Sequence, residues 1–182
     1  MRRDRDFSRN PLGWFDQQRF LLPFAEREVV CADFHDRVRS VVTNSGIAII
    51  QSDFRAKSDE SIAAKLYRRS SWHYDWPMPD VYGARFILRD EEVRAAITAV
   101  VDIYPEEHRF PYSLPRIRDL TDPNTPRTRF SDPVYQAIHV YVAFGEIEVP
   151  NIGEVKLMTP EQLDMDIRTR TDYEEKTFKN KL

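Results

Sequence analysis

Arg55, Lys57, Ser61, Lys65 and Arg68 recur at intervals that suit a polyanion. Ser58, with Asp59 and Glu60 behind it, reads as a helix N-cap followed by an acidic first turn. At roughly 100° per residue, Ser61, Lys65 and Arg68 then share one helix face, with Ile62, Ala63 and Leu66 turned toward a core. Arg55 and Lys57 fall just ahead of that helix, where unsatisfied N–H groups already favour phosphate. The plainer alternative is a solvated basic face. The next segment favours the first reading, because Asp80-Val-Tyr-Gly83-Ala-Arg85 puts an acid at the head of a strand, then a glycine, then an arginine. Further on, Tyr135, Ala137 and His139 alternate with Ile138 and Val140, so Tyr135 and His139 can share an open strand face. Glu154, Lys156 and Met158 do the same on a later strand, with Val155 and Leu157 pointing inward.

Taken together, Arg55-x-Lys57-(three)-Ser61-(three)-Lys65, Asp80-x-x-Gly83-x-Arg85, Tyr135-Gln-Ala-Ile-His139 and Glu154-Val-Lys-Leu-Met-Thr159 resemble, in order, the motifs of the synthetase domain of the RelA/SpoT alarmone synthetases. That family moves a pyrophosphate from ATP to the 3′-hydroxyl of GDP or GTP. The resemblance implies a nucleotidyltransferase-like sheet, with Asp80 as a metal-binding acid. Glu154 would position metal and acceptor hydroxyl and assist deprotonation. It implies that Arg55 and Arg85 sandwich adenine, a task suited to planar guanidinium, and that Lys57, Ser61 and Lys65 bind the triphosphate. Tyr135 would stack on the acceptor base, with His139 as an organiser or phosphate contact, and Arg118 and Lys156 nearby on the acceptor side. Phosphoryl chemistry leaves positioning and electrostatics to carry the rate, and Mg²⁺ takes few protein carboxylates, so Asp80 and Glu154 suffice.

The acceptor side departs from the family. Lys156 stands where it has Gln, Met158 where it has Arg, and Val134 where it has Gly. Its Lys-Asp-Tyr becomes Arg118-Asp119-Leu120 and its Pro-Lys becomes Pro123-Asn124. These changes point to a reshaped acceptor pocket. The first expectation is (p)ppGpp from GDP or GTP. The alternative keeps ATP as donor and changes the acceptor, to adenosine nucleotides giving (p)ppApp or to a tRNA 3′ end. Either product would make a growth-inhibiting toxin with an antitoxin or immunity partner. A non-catalytic nucleotide-binding module is the reading from another class, and the Asp80/Glu154 pair argues against it. Nothing resembles the hydrolase domain of longer family members, so synthesis without breakdown is expected.

The elements that must position these residues follow from periodicity. The apolar residues from Trp14 to Val42 suit one or two amphipathic helices broken or kinked at Pro23, and Asn44-Ser45-Gly46 ends the run. Ile47 to Gln51 reads as a short connecting strand or a loop entry to the basic motif, Val81 to Leu88 as a strand and Asp90 to Tyr104 as a helix with Val93, Ala96, Ile97 and Val100 inside. Arg116 to Leu120, Tyr135 to Phe144 and Gly153 to Thr159 read as strands, and Pro160 starts a last helix. Ser70 to Pro79, aromatic and proline-flanked, reads as a loop, and Thr121 to Pro133 as a mobile one. The order predicts an α+β domain with a mixed β-sheet flanked by helices. One geometric question stays open. Asp80 and Arg85 are five apart, which in a regular strand sets them on opposite faces; either Gly83 hosts a bulge or Asp80 precedes the strand.

At 182 residues and 41% hydrophobic content the chain fits a single domain, with 1–10 flexible, 11–45 forming the N-terminal helices and 47–182 the catalytic core. A net charge of −3 counts against a general nucleic-acid binder, tRNA excepted. One cysteine, Cys31, rules out an internal disulfide and a Cys-built metal site. No run approaches the roughly 18 apolar residues of a membrane span and no signal-peptide core follows Met1, so the expected location is cytoplasmic, or the cytoplasm of a target cell. No phosphate-binding Walker loop is present, which sets aside a P-loop kinase.

Overall fold

The computed structural model describes residues 22–68, 80–103, 116–126, 135–145 and 151–179. The expectations for 1–21, for the aromatic segment before Asp80, for the later part of the 121–133 loop and for Val134 lie outside the described residues, as do the side chains of Lys65 and Arg68.

Helix α1 (Phe24–Asn44) starts where Pro23, at the N-cap, accepts the Arg27 N–H at 2.9 Å. Cys31, Phe34, Val38 and Val42 form its buried stripe at helical spacing. Gly46, at φ 79°, then turns the chain into β1 (Ile49–Ala56). This strand runs five residues beyond the expected Gln51, through Asp53 and Arg55. Its polar residues hid it: among the described residues one flank is paired, with β2, and its alternation carries charge toward a cleft rather than apolar groups toward a core. Helix α2 (Asp59–Arg68) has the expected cap, with Ser58 Oγ accepting the Ser61 N–H at 3.3 Å.

Strand β2 (Tyr82–Leu88) leads to α3 (Asp90–Val101), which stops earlier than expected, at Asp102. Val93, Ala96 and Val100 are buried on its inner side, and Ile97 is partly covered. Strands β3 (Ile117–Asp119), β4 (Ile138–Phe144) and β5 (Asn151–Met158) follow. Tyr135 to Ala137 precede β4 proper, although the Ala137 carbonyl still accepts the Leu120 N–H at 2.9 Å. Helix α4 (Pro160–Lys179) opens with a capping box: Thr159 Oγ1 accepts the Gln162 N–H and Gln162 Oε1 accepts the Thr159 N–H.

The five strands lie in the order β1-β2-β5-β4-β3, with β2 and β5 parallel and every other pair antiparallel. This is the expected α+β mixed sheet. Helices α1 and α3 cover one face, and the main core lies between them and the sheet. Phe34 stacks on Phe144 at 4.7 Å and fills the space above Gly153, where a Cβ would stand 2.3 Å from the Phe34 ring tip. On the opposite face a smaller cluster joins Ile87, Ala137 and Met158, with Leu163 of α4 and Tyr135 packed against it. Met158 is therefore fully buried under α4 rather than on an open face, which corrects the expectation for that residue. Among the described residues no helix is long and apolar enough to cross a membrane.

Candidate active site

The register of the sheet assembles the site on the face away from the main core. One transverse row runs Arg55, Gly83, Glu154, Tyr141 across four strands, because each is the registered partner of the next. The neighbouring row, two residues along, runs Asp53, Arg85, Lys156, His139, Arg118. Period-two alternation puts both rows on one face. Gly83 contributes no side chain, so a gap opens between Arg55 and Glu154.

Asp80 sits before β2 begins, which answers the open question of its facing. A bulge at Gly83 is not required, since the irregularity in the β1–β2 register falls between Ile49 and Gln51. Lys57 holds Asp80 in place twice over. Its N–H donates to the Val81 carbonyl at 2.8 Å, and its Nζ donates to Asp80 Oδ2 at 2.8 Å.

Asp80 and Glu154 open onto the same cleft of about 390 Å³, together with Arg55, Lys57, Arg85 and Lys156. That size suits a small-molecule ligand. Two further acids, Asp53 and Asp166, also line it, so among the described residues four acids meet four cations. Arg85 donates through Nε and Nη2 to Asp53 Oδ2 at 3.0 and 2.6 Å, and its Nη1 lies 3.9 Å from Asp166 Oδ2. Arg55 and Arg85, expected to act as a pair, are on adjacent strands one row apart and both line the cleft. Ser61 caps the α2 turn with Ser58 and stands outside the cleft lining.

Glu154 is nearly buried and anchored from three sides. His139 Nδ1 lies 2.9 Å and Tyr141 Oη 3.2 Å from its Oε1, while Lys156 Nζ lies 3.6 Å from its Oε2. With Glu154 ionised, Nδ1 carries a proton toward it; in the neutral ring Nε2 then accepts from the Tyr135 hydroxyl, 3.0 Å away. Burial pushes the Tyr141 phenol far above its usual range, and the Glu154 charge pushes it further, so it remains a donor. Burial raises the Tyr135 phenol as well, against the opposing charge of Lys156. His139 thus lies between Tyr135 and Glu154, within hydrogen-bond distance of both. Tyr135, His139 and Arg118 lie beyond Glu154 and Lys156, outside the cleft lining. Lys156 also sits over the Tyr135 ring, 5.7 Å from its centre, and Arg118 donates to the Pro126 carbonyl at 3.0 Å.

Three residues of this constellation escaped sequence reasoning. Tyr141 was within reach, since it follows His139 by two on the same strand face. Asp53 required knowing that β1 extends to Ala56. Asp166 required the path of α4 back over the sheet.

The five-stranded mixed sheet with its flanking helices matches the fold of solved small alarmone synthetases. The chain superposes on a GTP pyrophosphokinase family protein from Streptococcus pneumoniae with a TM-score of 0.60 and 18% identity, over 90% of this chain and 78% of that one. It superposes on small alarmone synthetase 2 from Bacillus subtilis with a TM-score of 0.58 and 16% identity, over 87% and 80% of the two chains. For small alarmone synthetase 1 from Bacillus subtilis bound to its product pppGpp, the TM-score is 0.56 and the identity 15%, over 87% and 78%. No protein-family model matches the sequence, and no curated protein does.

Proposed function

We propose that the chain is an ATP-dependent pyrophosphokinase that transfers the β,γ-pyrophosphate of ATP to the 3′-hydroxyl of a purine nucleotide. The observation that supports this reading most is the convergence of Asp80 and Glu154, from separate motifs, on one cleft with Arg55, Lys57 and Arg85. The structural likeness to synthetases, one of them bound to pppGpp, supports it independently.

In this reading Arg55 and Arg85 hold the adenine, and Lys57 and Lys65 the phosphates. Two carboxylates on one cleft fit a hard divalent cation such as Mg²⁺, which keeps several waters and takes only one or two protein acids. Asp80 and Glu154 would hold it, and when bound it supplies charge neutralisation on the phosphates. His139 and Tyr141 fix Glu154 so that Oε2, the oxygen neither of them touches, is the one offered to the acceptor hydroxyl. Glu154 orients that hydroxyl and takes its proton.

GDP or GTP is the acceptor of the first reading. A changed acceptor, an adenosine nucleotide or a tRNA 3′ end, is a second reading that one observation favours. Met158 lies buried under α4 and Lys156 is engaged with Glu154, so the acceptor side carries a different polar pattern from the family's. Such a product would make the protein a growth-inhibiting toxin with a neutralising partner. Labelled ATP supplied with GDP, GTP, AMP, ADP, ATP or tRNA, with the product identified by mass, separates these readings. Absence of transfer to all of them would leave a nucleotide-binding module.

Tyr135→Ala is expected to raise the acceptor KM about tenfold while changing the ATP KM less than twofold, since a base–aromatic stack is worth about 1–3 kcal/mol. Steady-state kinetics with each substrate varied in turn check this. Equal effects on both constants would remove Tyr135 from the acceptor base.

A further inference from the structure

Asp53 and Asp166 line the cleft without a part in the proposed chemistry, and both lie against Arg85. Asp53 is the registered cross-strand partner of Arg85, so the two side chains leave the sheet side by side. Arg85 donates through Nε and Nη2 to a single oxygen, Asp53 Oδ2, at 3.0 and 2.6 Å. Asp166 of α4 brings its Oδ2 to 3.9 Å from Nη1, the nitrogen that Asp53 does not touch. With 26% of its side chain exposed, Arg85 remains within reach of a ligand in the cleft.

A guanidinium is planar, and all its N–H bonds lie in that plane. Two of them converge on Asp53, which pins the edge of the group and keeps a long side chain from swinging across the cleft. Phosphate is recognised by that same edge, through parallel N–H bonds. A phosphate would have to displace the Asp53 carboxylate and then lie beside it. A planar ring lies on the guanidinium face, perpendicular to those bonds, and displaces nothing. Held in this way, Arg85 is a poor phosphate ligand and a good stacking surface.

Resting on the proposed donor role of this cleft, we infer that Asp53 is a positioning residue for base recognition. It holds the Arg85 edge so that the face receives the purine ring of the nucleotide, and it turns the phosphates away from that guanidinium. Asp53 acts through Arg85, by deciding which of its surfaces the ligand meets. Asp166 steadies the same group from α4.

The test is calorimetric titration of the full chain in Mg²⁺ with two probes, a methylene-bridged ATP analogue and inorganic tripolyphosphate. Only the first carries a base. Wild-type protein is expected to favour the analogue by about 30-fold. Asp53→Ala is expected to bind the analogue about tenfold more weakly. It should bind tripolyphosphate as tightly as before or up to about fivefold more tightly, because the edge of Arg85 is released. Asp53→Asn, which keeps an oxygen for both N–H groups, should preserve most of the wild-type preference. In an Arg85→Ala background, Asp53→Ala should leave the preference unchanged. A melting curve accompanies each protein, and Asp53→Ser replaces the alanine variant if that one melts early.

An Asp53→Ala protein that loses both probes equally, or keeps the wild-type preference, overturns the inference. So does an Asp53→Asn protein with as little preference as the alanine variant, or an equal effect of Asp53→Ala without Arg85. Wild-type protein that binds the analogue no more tightly than tripolyphosphate overturns it as well. If wild type binds neither probe, the donor reading falls and the inference with it. If the preference shifts as expected but no acceptor yields product, the transferase reading falls and the inference stands.

Discussion

Glu154→Gln is expected to leave a folded protein whose proposed pyrophosphate transfer falls by about 10³-fold or more. The substitution keeps the shape of the side chain and removes its charge. In the proposed mechanism that charge holds the cation and takes the proton of the attacking hydroxyl, and terms of this kind are worth several kcal/mol each, about a factor of ten in rate per 1.4 kcal/mol. The surroundings of Glu154 tolerate the amide imperfectly. A carbonyl oxygen placed at Oε1 still accepts from His139 and Tyr141, while the new NH₂ group meets Lys156 Nζ. That mismatch costs about 1–2 kcal/mol and lowers Tm by a few degrees, far too little to explain a thousandfold loss. Initial rates at saturating nucleotide, read beside a melting curve, separate the two effects. A rate within tenfold of wild type, with Tm preserved, would take Glu154 out of the chemistry.

The largest effect on stability is expected far from the charged rows, at Gly153→Ala. The added Cβ would lie 2.3, 2.6 and 2.8 Å from three atoms of the Phe34 ring. Phe34 is 1% exposed and cannot swing aside, because its ring is stacked on Phe144 at 4.7 Å. Overpacking of a close-packed interior costs about 1–3 kcal/mol and sometimes more, and this site belongs at the upper end. For a chain of this size, ~3 kcal/mol lowers Tm by about 6–12 °C. Adding Phe34→Leu to Gly153→Ala should restore part of the loss, since the two residues meet directly and their effects are not additive. A Gly153→Ala protein that melts within about 2 °C of wild type would show that α1 can lift off the sheet at little cost.

Several parts of the fold could be read from the chain alone. Strands β2, β4 and β5 announce themselves because they are apolar and interrupted at the right intervals, and each was placed within three residues of its limits. The cap at Ser58 and the start of α4 at Pro160 are local signals, and local signals survive folding. Strand β1 was cut short because Asp53 and Arg55 look like loop residues until β2 is laid beside them. Met158 was misplaced because alternation says which face a residue takes, but not what crosses that face; α4 does so through Leu163. The acids Asp53 and Asp166 were missed for a related reason. Arg85 and Asp53 are 32 residues apart, and only the antiparallel register of β1 and β2 makes them neighbours. Asp80 and Glu154, named from their motifs, do open onto a shared cleft, where among the described residues the expected cations share the wall with two further acids.

The order of the strands assigns different mobilities to the two jobs of the site. Glu154 and Lys156 ride on β5, which is hydrogen-bonded on both flanks, whereas Arg55 rides on β1 and Arg118 on β3, at the margins of the sheet. Backbone at a margin can detach by local opening, while the middle ribbon separates only when the whole sheet does. If the proposed function holds, breathing at either border would let a nucleotide in and out while the acid at the centre keeps its alignment.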